Sequence, residues 1–341
     1  MSQKILIIHP GGIGDLVMFT PAIKILKDSL PDSKIDIFPA YTPEAGDIFK
    51  EGDIINRVFR FNLSKSNLLG KIRFFHKLRR EKYDISILPT DVGYLKGGIL
   101  SFIIGAKIRI GESRKSKGRL LYTHVSLFDE NKHLRETNIA LLKLLGLKID
   151  SLPLPFLKFD EEKEFADSFL AKNNLKGKTL VGLHPSSGGK QDFKRWPREN
   201  FLELGKKILS QFPNVFIVLF GGPGEEELCF EIKKELRKNV IIIVAYPLRQ
   251  VAALIDKCQV FIASDCGLGH IASTTSTNLI SIFGPTDPNI TGPIGKKVHI
   301  IKEKCDYPYD RHPKNKEGKG ACDCLKRIKP ERVFDEVKKI L

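Results

Sequence analysis

Short apolar runs of strand length recur along the chain, separated by segments whose apolar residues fall at helical spacing. Lys4–His9 reads as a buried strand, and Asp15–Leu30 as an amphipathic helix that stops at Pro31. Lys34–Phe38 (strand), Pro43–Lys50 (short helix), Ile54–Phe59 (strand), Leu68–Lys82 (helix) and Tyr83–Leu88 (strand) continue the series. The strands are continuous apolar runs, as a parallel sheet buried on both faces requires. Their alternation with helices implies βαβ units. The pattern restarts after Leu152-Pro-Leu-Pro155. Thr179–His184, Val215–Phe220, Val240–Ala245, Gln259–Ala263 and Leu279–Phe283 read as strands. Arg198–Phe212, Glu225–Leu236, Leu248–Asp256, Leu268–Thr275 and Glu331–Leu341 read as helices.

With 341 residues the chain exceeds what one core organises. Two doubly wound α/β domains are therefore expected, with a boundary inside Ser151–Lys178. Residues 1–165 and 166–341 are the expected division, and the last helix is free to pack back on the first domain. A hydrophobic fraction of 42% and a charged fraction of 28% exclude disordered and fibrous classes. No apolar run approaches the ~20 residues that cross a bilayer. The N-terminus has no signal-peptide pattern, so a cytoplasmic protein is expected.

The formal net charge of +16 favours anionic partners such as nucleotides, nucleic acid or phosphorylated glycolipid, without choosing among them. Lys71–Lys82 interleaves Phe and Leu with Arg and Lys, which suits an anionic membrane surface or simply a solvated face. The six cysteines are Cys229, Cys258, Cys266, Cys305, Cys322 and Cys324. They are sparse and fit reduced thiols. Cys322-Asp-Cys324 with Cys305 and His312 suggests zinc, but the spacing is not that of a standard knuckle, so no metal is expected.

Open parallel sheets bind ligands outside the carboxyl ends of their strands, and those loops hold this sequence's unusual residues. Pro10-Gly11-Gly12-Ile13-Gly14-Asp15 joins a strand to a helix. It is neither a dinucleotide fingerprint nor a Walker loop. Asp15 suits two roles equally, a helix N-cap and a general base at the mouth of a cleft. His184-Pro-Ser186-Ser187-Gly-Gly-Lys190 runs on to Lys194-Arg195-Trp196-Pro197, and offers hydroxyls, amides and cations to a diphosphate. Phe220-Gly-Gly-Pro-Gly-Glu225-Glu226 brings carboxylates to a helix start, for the dipole or for ribose hydroxyls. Ser264-Asp265-Cys266-Gly267-Leu268-Gly269-His270 opens another helix with glycine amides. Its histidine can equally be a packed core residue. Phe283-Gly-Pro-Thr-Asp-Pro288 is a rigid turn after the next strand.

These five loops, in this order and over nearly the whole chain, resemble glycosyltransferase family 9, the ADP-heptose:lipopolysaccharide heptosyltransferases. Gly14-Asp-Leu-Val-Met-Phe-Thr20-Pro-Ala22 belongs to the match. The resemblance implies a GT-B type α/β fold, two Rossmann-like doubly wound parallel-sheet domains facing across a cleft. It implies an acceptor side formed by Gly11, Gly12, Gly14 and Thr20, with Asp15 as catalytic base. It implies a donor side on which Ser186, Ser187 and Lys194 hold the diphosphate. Glu225 or Glu226 would approach the nucleoside, and Leu248 would lie near the base. Asp265 would contact the sugar, flanked by Gly267, Leu268, Gly269 and His270. Cys266 stands where the family pattern has Thr.

On this reading the protein is an inverting, metal-independent transferase with no cofactor. It takes a nucleotide sugar, ADP-heptose first, and an anionic glycolipid or glycan acceptor. It acts as a monomer, with peripheral membrane contact through Lys71–Lys82 or Arg114–Arg119. The alternatives are a transferase using a UDP- or GDP-sugar on another glycan, a nucleotide-sugar epimerase, and a basic nucleic-acid-binding protein. The last lacks a recognition motif.

Overall fold

The computed structural model describes residues 2–89, 94–113, 121–127, 129–188, 191–305 and 322–341. The chain divides into two compact units, 1–156 and 157–341. In the first, β1 (Lys4–His9), β2 (Lys34–Pro39), β3 (Arg57–Val58), β4 (Ile85–Leu88), β5 (Ile108–Ser113) and β6 (His124–Leu127) form one parallel sheet. Its order is β3-β2-β1-β4-β5-β6. Among the described residues, the helices α1 (Ile13–Ser29), α2 (Leu68–Arg80), α3 (Tyr94–Ile104) and α4 (Leu134–Lys143) accompany it. Pro43–Ile48 is a 3-10 turn. The Ile54–Phe59 run yields only a two-residue edge strand.

The second unit repeats the plan. β7 (Thr179–His184), β8 (Val215–Gly221), β9 (Val240–Val244), β10 (Val260–Ser264), β11 (Asn278–Phe283) and β12 (Val298–Lys302) pair in the order β12-β11-β10-β7-β8-β9, all parallel. The helices here are α5 (Glu162–Lys172), α6 (Arg198–Gln211), α7 (Glu226–Leu236), α8 (Leu248–Ile255), α9 (Gly267–Ala272), α10 (Pro288–Thr291), α11 (Asp323–Arg327) and α12 (Pro330–Ile340). Helix α12, which the sequence allows to pack back on the first domain, buries Val333 and Val337 in the core of its own unit, against α6.

Numbered within its own unit, each sheet has the Rossmann order 3-2-1-4-5-6. The direction of growth reverses between β1 and β4 in one sheet, and between β7 and β10 in the other. Ligand crevices open at such switch points. The central strands are fully buried: Ile5, Leu6, Ile7 and Ile8 in β1, and Phe261, Ile262 and Ala263 in β10, have no exposed surface. The loops after β1, β7 and β10 therefore spring from rigid strand ends.

Candidate functional site

At the head of the first sheet, β1 ends at His9 and α1 begins at Ile13. Gly12 is the N-cap, and Asp15, three residues on, reaches back so that its Oδ2 accepts from the Gly12 N–H at 2.9 Å. A carboxylate here also meets the positive end of a 17-residue helix. Gly11 is required by close approach, since a Cβ on it would lie 2.5 Å from Asp15 Oδ2. The capping role and the position at the switch point thus coincide in one residue. Gly14 lies in the first turn of α1.

His9 lies beneath this turn. It is completely buried, with its ring 5.9 Å from that of Phe19. The backbone of Gly11 and Asp15 runs alongside, yet neither ring nitrogen makes a hydrogen bond of normal geometry. Burial lowers its pKa from 6.5 to about 4, against a partly opposing attraction from Asp15, so the imidazole is neutral. In the sequence His9 is legible only as a strand end.

Thr20, expected on the acceptor side, has a structural setting. It is fully buried inside α1, where its Oγ1 donates to the Val17 carbonyl at 2.8 Å and accepts from the Phe156 N–H at 3.0 Å. Pro21 follows it and has no N–H to offer that carbonyl. The hydroxyl replaces the missing backbone donor and ties down the connection leaving the unit.

The second unit assembles two polar clusters at its switch point. In one, Asp265 follows β10 and is buried. Its Oδ2 pairs with Lys194 Nζ at 2.9 Å and accepts from Thr286 Oγ1 at 2.7 Å. Burial alone would raise the Asp265 pKa, but Lys194, Thr286 and His270 outweigh it, so the carboxyl is held below its usual value. In the other, Glu225 links two loops. Its Oε1 accepts from Ser186 Oγ, and its Oε2 from the Gly222 N–H at 2.7 Å. Arg195 Nη2 donates to the same Ser186 Oγ at 3.1 Å. His184 sits beneath, with Nδ1–H donating to the Phe220 carbonyl at 2.8 Å, and burial lowers its pKa.

The 191–197 loop is locked by Trp196. Its N–H donates to Ser264 Oγ and its Nε1–H to the Ile328 carbonyl, both at 2.9 Å. The fully buried indole anchors Lys194 two residues away. Ser187 Oγ donates to the Gln191 carbonyl, closing the loop from within. Together these groups present a lysine, an arginine, hydroxyls and the head of α9 in a preformed arrangement suited to a diphosphate.

The remaining expected residues divide. Gly267, Leu268 and Gly269 form the first turn of α9, and Cys266 is its N-cap without a side-chain capping bond. His270 is buried in the same helix, beside Asp265. Leu248 begins α8. Glu226 turns away from the cluster. It is exposed on α7 and borders a lateral groove of about 750 Å³ with Phe165, Phe169, Phe230 and Tyr246. One residue of helical register separates it from Glu225, and only Glu225 folds back over the strand end. Lys190, His312 and Arg114–Arg119 lie outside the described residues. The sequence marks the turn that carries Thr286 but not its partnership with Asp265.

The profile of glycosyltransferase family 9 (heptosyltransferase) matches residues 71–319. Lipopolysaccharide heptosyltransferase 2 of Escherichia coli (strain K12) is 26% identical over 360 residues, covering 99% of each chain. Lipopolysaccharide heptosyltransferase 3 of Escherichia coli is 28% identical over 297 residues, covering 80% of this chain and 81% of the other. In structure, the E. coli ADP-heptose LPS heptosyltransferase II aligns with a TM-score of 0.78 at 23% identity, over 99% of this chain and 98% of that one. A family 9 glycosyltransferase from Veillonella parvula DSM 2008 aligns with a TM-score of 0.80 at 20% identity, over 99% and 97%. The two Rossmann-like units are those of a GT-B type α/β fold. With the profile spanning most of the sequence and the ordered loops falling at both switch points, the chain belongs to glycosyltransferase family 9, the heptosyltransferase family.

Proposed function

We propose that this chain transfers a heptose, or a closely related sugar, from an ADP-linked donor to an anionic acceptor of lipopolysaccharide-core type, with inversion and without a catalytic metal. The observation that carries this is the end-to-end match to lipopolysaccharide heptosyltransferase 2, covering 99% of both chains. The two preformed loop systems give the match a chemistry. The first unit takes the acceptor and the second the donor. The acceptor hydroxyl attacks the anomeric carbon while its proton passes to Asp15. One carboxylate oxygen is held by the Gly12 amide, which orients the other as base. The bond from the anomeric carbon to the diphosphate breaks, and the departing charge falls on Lys194, Arg195, Ser186, Ser187 and the head of α9. A diphosphate so neutralised needs no acid to leave, which is why one carboxylate suffices where glycoside hydrolases use two. Glu225 reaches donor hydroxyls from its place on Ser186.

The acceptor explains the basic surface. Helix α2 exposes Leu68, Leu69 and Ile72, and α3 exposes Ile99, Phe102 and Ile103. Arg79 links the two helices by donating to the Ile103 carbonyl at 2.9 Å, with Arg73, Lys77 and Arg80 exposed around it. Apolar residues rimmed by arginines fit peripheral docking on an anionic bilayer. Among the described residues no helix is long and apolar enough to cross one.

The test is Asp15→Asn. It keeps the carbonyl that accepts from Gly12 but cannot take a proton. Transfer falls by roughly 10²–10⁴, while ADP binding by calorimetry stays at the parental value. A variant that transfers at the parental rate makes Asp15 a cap and nothing more. Screening ADP-, UDP- and GDP-sugars for thermal stabilisation separates the donor classes.

A further inference from the structure

Three of the six cysteines converge on one point in the second unit. Cys305 follows β12, while Cys322 is the N-cap of α11 and Cys324 lies in its first turn. Their sulfurs all lie within 4.8 Å of one another, with Cys324 Sγ to Cys322 Sγ at 3.0 Å and Cys305 Sγ to Cys322 Sγ at 3.6 Å. None is in a disulfide. Two of the other buried cysteines behave differently. Cys229 and Cys258 stand apart, each with its sulfur turned to a backbone carbonyl at 3.8 and 3.6 Å, which is how an ordinary core cysteine is accommodated.

We propose that Cys305, Cys322 and Cys324 bind a thiophilic divalent cation of the zinc class, which pins α11 against the donor loop. Three sulfurs are a soft donor set that selects such ions over magnesium or calcium. Tetrahedral coordination with sulfur bonds of about 2.3 Å spaces the sulfurs about 3.8 Å apart, so the cluster needs to open by less than about 1 Å. Cys305 and Cys322 are partly exposed, which gives the ion a way in, and Cys324 is buried, which gives the site a dry floor. Each cysteine binds as thiolate and releases its proton to solvent. The bound ion draws three of its four ligands from this chain's thiolates and does not enter the transfer reaction.

The location decides what the ion does. The Cys322 N–H donates to the Phe193 carbonyl at 3.3 Å, one residue before Lys194. Leu325 of α11 packs over Gly284, where a Cβ would come within 2.6 Å of Leu325 Cγ. That glycine opens the turn carrying Thr286. Ile328, just beyond α11, accepts from the Trp196 indole. The three sulfurs therefore knot together the segments that hold Lys194 and the partners of Asp265. This inference does not rest on the donor or acceptor proposed above.

The test uses the full chain purified anaerobically with reductant and no chelator. Elemental analysis should find roughly one zinc-class ion per chain. Cobalt exchange should give the strong thiolate-to-cobalt charge-transfer band. Cys305→Ser and Cys322→Ser should lose both signals, while Cys229→Ser keeps them. Because a serine variant can fail to fold, chelation of the parent provides a second reading. Removing the ion should lower the melting temperature and shift the emission of Trp196, the single tryptophan. Protein that takes up neither zinc nor cobalt overturns the proposal, as does uptake that survives replacement of all three cysteines, or a disulfide among them in reduced protein. Chelation that leaves Trp196 emission and melting unchanged overturns the pinning role.

Discussion

Replacing Gly11 by Ala asks whether the position of Asp15, rather than its mere presence, sets the rate. The added methyl would lie 2.5 Å from Asp15 Oδ2 and 2.6 Å from its Cβ. Ordinary contacts are about 3.5–4.0 Å, so the carboxylate must move by about 1 Å. It cannot do so by shifting the helix, because Leu16, Val17, Met18 and Phe19 behind it are fully buried. Rotating the side chain cannot relieve the contact with Cβ, so the Gly11–Gly12 turn itself must shift, and the carboxylate loses its register with the Gly12 amide. Losing that cap costs about 1 kcal/mol of stability. Displacing a reacting group by this distance costs roughly 10² in rate. The measurement is kcat and KM for transfer, alongside ADP affinity by calorimetry. We expect kcat to fall by about two orders of magnitude with ADP affinity intact, since the proposed donor groups lie on the other unit. Gly12→Ala is the internal comparison. The nearest heavy atom to its added Cβ is Asp15 Oδ2 at 4.0 Å, and its loss should be smaller. A Gly11→Ala enzyme with the parental kcat, or one whose loss is matched by lost ADP affinity, refutes the reasoning.

Two further predictions concern buried ionisable groups. His9 is depressed in the folded chain from 6.5 to about 4, so its contribution is complete above pH 6.5 and is lost as pH falls toward 4. At 1.36 kcal/mol per unit that loss is about 3 kcal/mol. In denaturant titrations across this window, His9→Phe should flatten the decline in stability of the first unit, and curves that run parallel to the parent would sink the idea. Lys194→Met strands Asp265 as a buried carboxylate and should destabilise the second unit by about 3 kcal/mol. Adding Asp265→Asn should restore part of that stability without restoring ADP binding. A double variant no more stable than the single one contradicts the pairing.

Much of the fold is legible in the sequence because fully buried parallel strands are written as uninterrupted apolar runs. β1, β7, β8 and β11 coincide with such runs almost residue for residue. The Ile54–Phe59 run misleads because an edge strand has a partner on one side only, and pairing stops after Arg57 and Val58. The elements from α3 to α5, and β12 near the C-terminus, do not stand out: α3 is apolar nearly throughout and so lacks an amphipathic period, with Ile99, Phe102 and Ile103 exposed, while β6 and β12 are short and partly outward-facing. Site loops are legible as glycine-rich strand-to-helix turns. Their partnerships are not. Asp265 meets Lys194 from 71 residues away and Thr286 from 21, and nothing local encodes either contact. The thiol cluster shows in the sequence only as a non-standard spacing, because Cys305 and Cys322 come together only once β12 and α11 pack. Thr20 enters the expected site only through the resemblance, whereas its surroundings follow from the missing amide of Pro21.

The Lys194–Asp265 pair also bears on which anions the protein ignores. A lysine standing free beside glycine amides would collect phosphate, sulfate and other small anions at cellular concentrations. Here its charge is already engaged by a carboxylate tethered to the same scaffold, which acts as an intramolecular competitor at high effective concentration. A lone phosphate offers too few contacts to displace it. On the proposed donor reading, a diphosphate that engages Ser186, Arg195 and the α9 amides at the same time is the ligand expected to displace it. If the proposed donor site is right, the pair sets a threshold on ligand size, and Asp265 is the carboxylate that would retake the lysine once the nucleotide leaves.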